Sequence, residues 1–261
     1  MILLWLLLAC TASRDVAQGE AALFDHDLSS AEAHFRAALA KEPANTVALA
    51  GLGWTYTTAG ERKAGEGAFA RCVELDPAAL SCLRGLAAIA AQGGDLAGAA
   101  QLLARAARVS PDDPGVRSSQ ALLALRSGDL VTASATLEAL AAAHPAVAEY
   151  AASLAEVRLA QGRPAEALPL TEAALQLPDS PKRVRAALHL VQARALVAAT
   201  ARQEDPARCA ETLPPVLAWL DRAGQSIDAA EALLGVNAET AAVRRLLLGR
   251  RSVVTEACPA P

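Results

Sequence analysis

The sequence predicts an all-α protein, a solenoid of stacked helix-turn-helix repeats. Three observations predict it. Prolines recur at Pro43, Pro77, Pro111 and Pro145, each 34 residues after the last. A fixed period of that length marks paired helices stacked in an array. The chain is 53% hydrophobic but only 3% aromatic, so its apolar material is mostly Ala and Leu, which favour helices over sheets. Small residues also recur in the register of the prolines, at two fixed places in every unit.

Phased on the prolines, the repeats start at Ala12, Thr46, Leu80, Pro114 and Ala148. Position 8 holds Gly19, Gly53, Ala87, Ala121 and Ala155; position 20 holds Ala31, Gly65, Ala99, Ala133 and Ala167. All ten are small, which lets two helices approach closely. Position 24 is Phe35, Phe69, Leu103, Leu137 and Thr171, and position 27 is Ala38, Cys72, Ala106, Leu140 and Ala174. The turn between the helices falls at position 15: His26, Gly60, Gly94, Gly128 and Gly162. Glycine there relieves the cost of a left-handed helix end. Position 16 is Asp27, Glu61, Asp95, Asp129 and Arg163, and Asp can cap the helix that follows. Each unit therefore reads as helix A, a Gly-Asp turn, helix B and a proline stop.

These columns resemble the tetratricopeptide repeat consensus across residues 12–181. The resemblance implies a right-handed α-solenoid in which positions 8 and 20 bring helix A onto helix B and position 24 fills the gap. Five repeats follow, at about 12–45, 46–79, 80–113, 114–147 and 148–181, inside a 10–181 repeat region. The fifth is degenerate, with Thr171 in the large apolar column and its proline displaced to Pro178 and Pro181. Beyond it the period fails. Residues 182–261 read as a diverged sixth helical pair with capping helices, which a solenoid needs to cover its last apolar face. Lys182 to Arg202 is expected as one long helix, broken by the polar stretch from Arg202 to Pro206. Thr212 is expected to cap a helix ending at Gly224, Ser226 a short one to Gly235, and Asn237 a last one through Arg251.

The chain opens with the apolar run Met1 to Ala9. As a helix it would span roughly 15 Å, half of a bilayer core, so it reads as a secretory leader over residues 1–9 and not as a membrane span. Leu7-Leu8-Ala9-Cys10 resembles the bacterial lipobox. That resemblance implies cleavage before Cys10, acylation of Cys10, and, with Thr11 following, sorting to the outer membrane facing the periplasm. Two features depart from the pattern: no Lys or Arg precedes the run, and the run is short. The alternative is an ordinary apolar helix in a cytoplasmic protein.

Without Cys10 four cysteines remain, Cys72, Cys82, Cys209 and Cys258. An even number suits an oxidising compartment. The local pairing is Cys72 with Cys82 and Cys209 with Cys258; the alternative is four small buried hydrophobes.

With 24 basic and 28 acidic residues and no long run of one sign, the chain lacks the electrostatic footprint of a nucleic-acid binder. No catalytic motif is present: no GxSxG, HExxH, phosphate loop or dinucleotide fingerprint. The expectation is a non-enzyme without cofactor or metal. In the family it resembles, a protein or peptide lies in a concave groove lined by positions 2, 5, 9 and 12 of helix A. Here those positions give Val47, Ala50, Trp54 and Thr57; Ser81, Arg84, Ala88 and Ala91; Gly115, Ser118, Leu122 and Leu125; and Glu149, Ala152, Glu156 and Leu159. Trp54, Arg84, Leu122 and Glu156 are the groove candidates, Trp and Arg because they are enriched among interface hot spots. The leading expectation is a scaffold or adaptor that assists assembly of an envelope complex, of the pilus secretin or polysaccharide export type. A soluble or co-chaperone-like adaptor is the alternative, and an enzyme on a repeat platform the remote one. The oligomeric state is left open by the sequence.

Overall fold

The computed structural model describes residues 2–201 and 209–257, with side chains from 11 to 201 and from 212 to 257. Among the described residues every regular element is a helix. In order they are α1 (Ile2–Phe24), α2 (Leu28–Lys41), α3 (Thr46–Thr58), α4 (Arg62–Leu75), α5 (Leu80–Gln92), α6 (Leu96–Val109), α7 (Pro114–Ser127), α8 (Leu130–Ala143), α9 (Ala148–Ala160), α10 (Pro164–Leu175), α11 (Lys182–Thr200), α12 (Cys209–Leu234) and α13 (Ala238–Ala257). A helices start at Thr46, Leu80, Pro114, Ala148 and Lys182; B helices start at Leu28, Arg62, Leu96, Leu130 and Pro164. Both series step by 34, the spacing of the prolines.

The turns explain the regularity. His26, Gly60, Gly94, Gly128 and Gly162 all have positive φ, from 57° at His26 to 89° at Gly94. A left-handed residue ends helix A and redirects the chain. His26 holds the same conformation with a Cβ, which costs about 1–2 kcal/mol that a glycine avoids. Helix B then starts on its cap. The carboxylates of Asp27, Asp95 and Asp129 accept from the backbone N–H of Ser30, Gly98 and Thr132 at 3.1, 2.8 and 3.0 Å. The Thr132 bonds, side chain first, hold the Asp129 carboxyl below its ordinary value. Glu61 and Arg163 give no such bond: one is a methylene longer, the other is a donor.

The apolar filling is ordered by size. Phe35 and Phe69 are fully buried. A Cβ placed on Gly19 would lie 2.7 Å from the Phe35 ring, and one on Gly53 2.5 Å from the Phe69 ring. Both glycines are position 8, as expected. The other face of each ring lies on a position the sequence reading did not single out, position 6 of the next A helix. There Gly51 covers Phe35 and Gly85 covers Phe69, closer still. Where position 24 is Leu (Leu103, Leu137), position 6 of the next repeat is Ser (Ser119, Ser153). A smaller plug goes with a larger lid.

The proline ladder also has a polar role. The guanidinium of Arg71 donates to the Pro43 carbonyl at 3.1 Å, and that of Arg105 to the Pro77 carbonyl at 3.3 Å. Each ties a B helix to the loop that closes the preceding repeat. Between α2 and α3, Arg36 donates to the Tyr56 hydroxyl at 2.9 Å, which donates to Glu32 at 3.1 Å. Burial, then the Glu32 bond, pushes the Tyr56 phenol up.

The chain divides into two compact units, Met1–Thr136 and Leu137–Pro261. In the first, α1 to α7 each pack on the next, and α1, α3, α5 and α7 also pack on one another in series. α2 and α4, or α4 and α6, make no comparable contact. The A helices are the close row. In the second unit α9 packs on α11, and α11 packs on both α12 and α13.

As expected, α11 is one long helix; Leu196, fully buried, stands where a glycine would end it at the sixth turn. Other expectations for the C-terminal region change. α12 is one helix through Gly224. Ala223, Ile227 and Ala230 are buried in one core with α11 and α13, and that burial outweighs the roughly 1 kcal/mol a helical glycine costs. Ser226 is accordingly not a cap; its hydroxyl donates to Gln192 of α11 at 2.9 Å. α12 ends instead at Gly235 (φ 75°). Asn237 does cap α13, which continues beyond Arg251 to Ala257. The break placed at Arg202 to Pro206 lies outside the described residues.

The Phe-Gly and Leu-Ser pairing predicts coupling. Gly85→Ser alone should overpack Phe69 and cost about 1–3 kcal/mol. In a Phe69→Leu background the same change should cost less than half as much. Urea denaturation of the two single variants and the double variant measures the coupling.

Candidate partner-binding face

The expected groove positions lie on α3, α5, α7 and α9. Most of these side chains are half-buried or buried. The two large apolar ones left exposed are Val47, 54% exposed, and Leu122, 40% exposed. Both belong to the first unit.

The other three candidates are engaged within the chain. The Trp54 indole N–H on α3 donates to Ser81 Oγ on α5 at 3.0 Å. Its ring meets Phe69 edge-on, with centroids 5.2 Å apart. Arg84 on α5 donates through Nε to Ser119 Oγ on α7 at 3.0 Å. That hydroxyl donates to the Gly115 carbonyl at 2.9 Å, and the guanidinium lies where a Cβ on Gly115 would be. Glu156 on α9 accepts from Arg194 on α11 at 2.6 and 2.8 Å.

Each bond joins one A helix to the next. The pattern has a physical reason. Positions 5 and 9 sit on the flank where successive A helices converge, so a long polar side chain there reaches the neighbour before it reaches solvent. An edge-on aromatic pair contributes about 0.5–1.5 kcal/mol beyond burial. The Glu156–Arg194 pair is about one-third exposed on each side and contributes about 1 kcal/mol or less. Ser81, named from the sequence as a groove position, completes the first tie; Ser119 and Arg194 complete the others and were not named. Only their polarity on an A helix flank could have marked those two.

The sulfurs of Cys72 on α4 and Cys82 on α5 are bonded, with Cα atoms 6.2 Å apart and both residues fully buried. The bridge closes ten positions of chain and staples repeat 2 to repeat 3 beside Phe69. On the loop-entropy argument it stabilises by roughly 2–3 kcal/mol. The side chains of Cys10 and Cys209, and all of Cys258, lie outside the described residues. Among the described residues no group of three His, Cys, Asp or Glu could hold a metal ion, and no helix is long and apolar enough to cross a membrane.

His189 occupies position 8 of the sixth A helix, the column that is Gly or Ala in the other five. Its Nδ1 is buried without a hydrogen-bond partner. Burial, then the nearby Arg185 charge, lowers its pKa from the ordinary 6.5.

No protein-family model matches the sequence, and no curated protein does. Solved structures do match. A tetratricopeptide repeat protein from Parabacteroides merdae superposes with a TM-score of 0.65 at 17% identity, over 92% of this chain and 84% of that one. PilW, a widely conserved type IV pilus biogenesis factor, gives 0.56 at 14% identity over 89% and 98%. Pseudomonas aeruginosa pilF gives 0.52 at 15% identity over 91% and 98%. At these identities the likeness is one of fold.

Two outcomes follow from this geometry. Trp54→Ala should lower stability by about 1–3 kcal/mol, combining the ring contact with one hydrogen bond; thermal denaturation measures it, and Ser81→Ala should lose only the hydrogen-bond share. For His189 the folded state favours the neutral imidazole. Its contribution is complete above the unfolded pKa near 6.5 and is lost as pH falls below it. The urea midpoint should therefore drop between pH 7.5 and 5.5, and His189→Gln should reduce that drop.

Proposed function

Because the chain has the tetratricopeptide-repeat fold, we propose that it is a non-catalytic scaffold that binds a protein or peptide along its A helices. The observation that carries this reading is the row α1, α3, α5 and α7. It is stiffened by its own side-chain ties and presents Val47 and Leu122 to solvent. A rigid face loses little conformational entropy on binding, which favours affinity. The ties also divide the labour: Trp54, Arg84 and Glu156 set the spacing of the A helices, and Leu122 with Val47 offers apolar contact.

We place this scaffold at the outer membrane, facing the periplasm and anchored through Cys10. Leu7-Leu8-Ala9-Cys10 supports the anchor. The buried Cys72–Cys82 bridge supports an oxidising compartment. The fold shared with PilW and pilF supports a role in assembling an envelope complex such as a pilus secretin. Two or three acyl chains at Cys10 would hold the scaffold stably, where one would not, and would raise its effective concentration for a membrane partner.

Radioactive palmitate incorporated in envelopes tests the anchor. Label is expected in the wild type and absent in Cys10→Ser; an unlabelled wild type would sink the lipoprotein reading. Crosslinking in the same envelopes should capture a protein, and Leu122→Glu should weaken that capture at least fivefold while leaving helicity unchanged.

A further inference from the structure

The open face of the A helices in the first unit carries its charge unevenly. On α3 the residues that reach solvent beyond Thr46 are Val47, Gly51, Trp54, Thr57 and Thr58, positions 2, 6, 9, 12 and 13 of the repeat. The rest of α3 is buried. That stripe is the part of an A helix left for a partner. α3 and α5, 13 residues each, hold one charged side chain between them, Arg84. Of the B helices beside them, α2 holds three and α4 five. An exposed stripe without charge costs little to remove from water.

Charge returns on either side of that stretch, with opposite sign. Glu20 is position 9 of α1, in line with Trp54, and Arg126 is position 13 of α7, in line with Thr58. Both are exposed, and among the described residues neither has an ion-pair partner. The other charged residues of α1 and α7 stand off the stripe. Arg14 is at position 3, and Asp15 and Arg117 are at position 4, columns that are buried in α3 and α5. Arg84 lies across Gly115 of α7, on the side of Arg126. Packed helices stand about 8–10 Å apart, so the row from α1 to α7 covers about 24–30 Å. That is well beyond the roughly 8 Å over which exposed charges feel each other at physiological salt. Glu20 and Arg126 therefore act on a ligand separately.

Resting on the scaffold reading, we infer that this face takes an extended segment of a partner protein that is uncharged through its middle, with a cationic residue over Glu20 and a carboxylate over Arg126. An extended chain rises about 3.3 Å per residue, so about eight residues span the row. A charge in the middle of the segment would be desolvated against α3, which has none to answer it. Like charges at either end would repel and lower the affinity. Gly51 and Ala88 keep the floor low, so the backbone of the segment can come close. An extended segment leaves peptide groups to be satisfied, and the hydroxyls of Thr58 and Ser118 and the amide of Gln92 are on the stripe to meet them. Val47 and Leu122 take its apolar side chains.

Calorimetric titration of the full chain with three capped peptides of about eight residues tests the inference. All share a core of leucine, alanine and serine. One ends in lysine and aspartate, one in lysine at both ends and one in aspartate at both ends. The lysine–aspartate peptide should bind tighter than either of the others by about threefold or more, and added salt should shrink the difference. Glu20→Lys should move the preference to the aspartate–aspartate peptide, and Arg126→Glu should remove the advantage over the lysine–lysine one. Circular dichroism should not change, because both positions are exposed. Equal affinities for the three peptides, an unchanged ranking in either variant, or no binding of any peptide at millimolar concentration overturns the inference. The scaffold reading is decided separately, by crosslinking with Leu122→Glu, which leaves both end charges in place.

Discussion

Phe35 lies between Gly19 and Gly51, and Phe69 between Gly53 and Gly85. In each case one ring joins three helices: its own B helix, the A helix before it and the A helix after it. The distances allow no Cβ on either side without displacement. This is close packing of the kind that makes a core sensitive to a single methylene. The spacing of A helices, and hence the face they present, depends on how much these plugs and lids fill together. In the later repeats the same two positions hold Leu and Ser, a change at both places together.

The polar side chains extend that constraint. Trp54, Arg84 and Glu156 reach from one A helix to the next, while Arg71 and Arg105 reach back to the proline loops. The Cys72–Cys82 bridge adds a covalent staple at the junction of repeats 2 and 3. A solenoid has few long-range contacts, and its stability is close to a sum over neighbouring units. Ties between neighbours are therefore the available means of stiffening it. They also explain why the residues with the most recognisable binding chemistry are half-buried, leaving contact with a partner to plainer side chains such as Leu122.

Much of the fold was legible in the sequence because it is written in local terms. A left-handed turn needs glycine at position 15, a helix stop suits proline at position 32, and a close approach needs a small residue at position 8. These requirements recur at every 34th residue and can be checked column by column. Position 6 was missed because its demand comes from a ring 16 residues earlier, across a repeat boundary. The C-terminal helices were cut in the wrong places for a similar reason: Gly224 looks like a stop, and only the burial of Ala223, Ile227 and Ala230 overrides it. The candidate face was least legible. Sequence could place Trp54, Arg84, Leu122 and Glu156 on one flank of the A helices. Only the tertiary structure could show that three of the four are held by the next helix, because whether a long side chain meets solvent or a neighbour depends on how closely two helices approach.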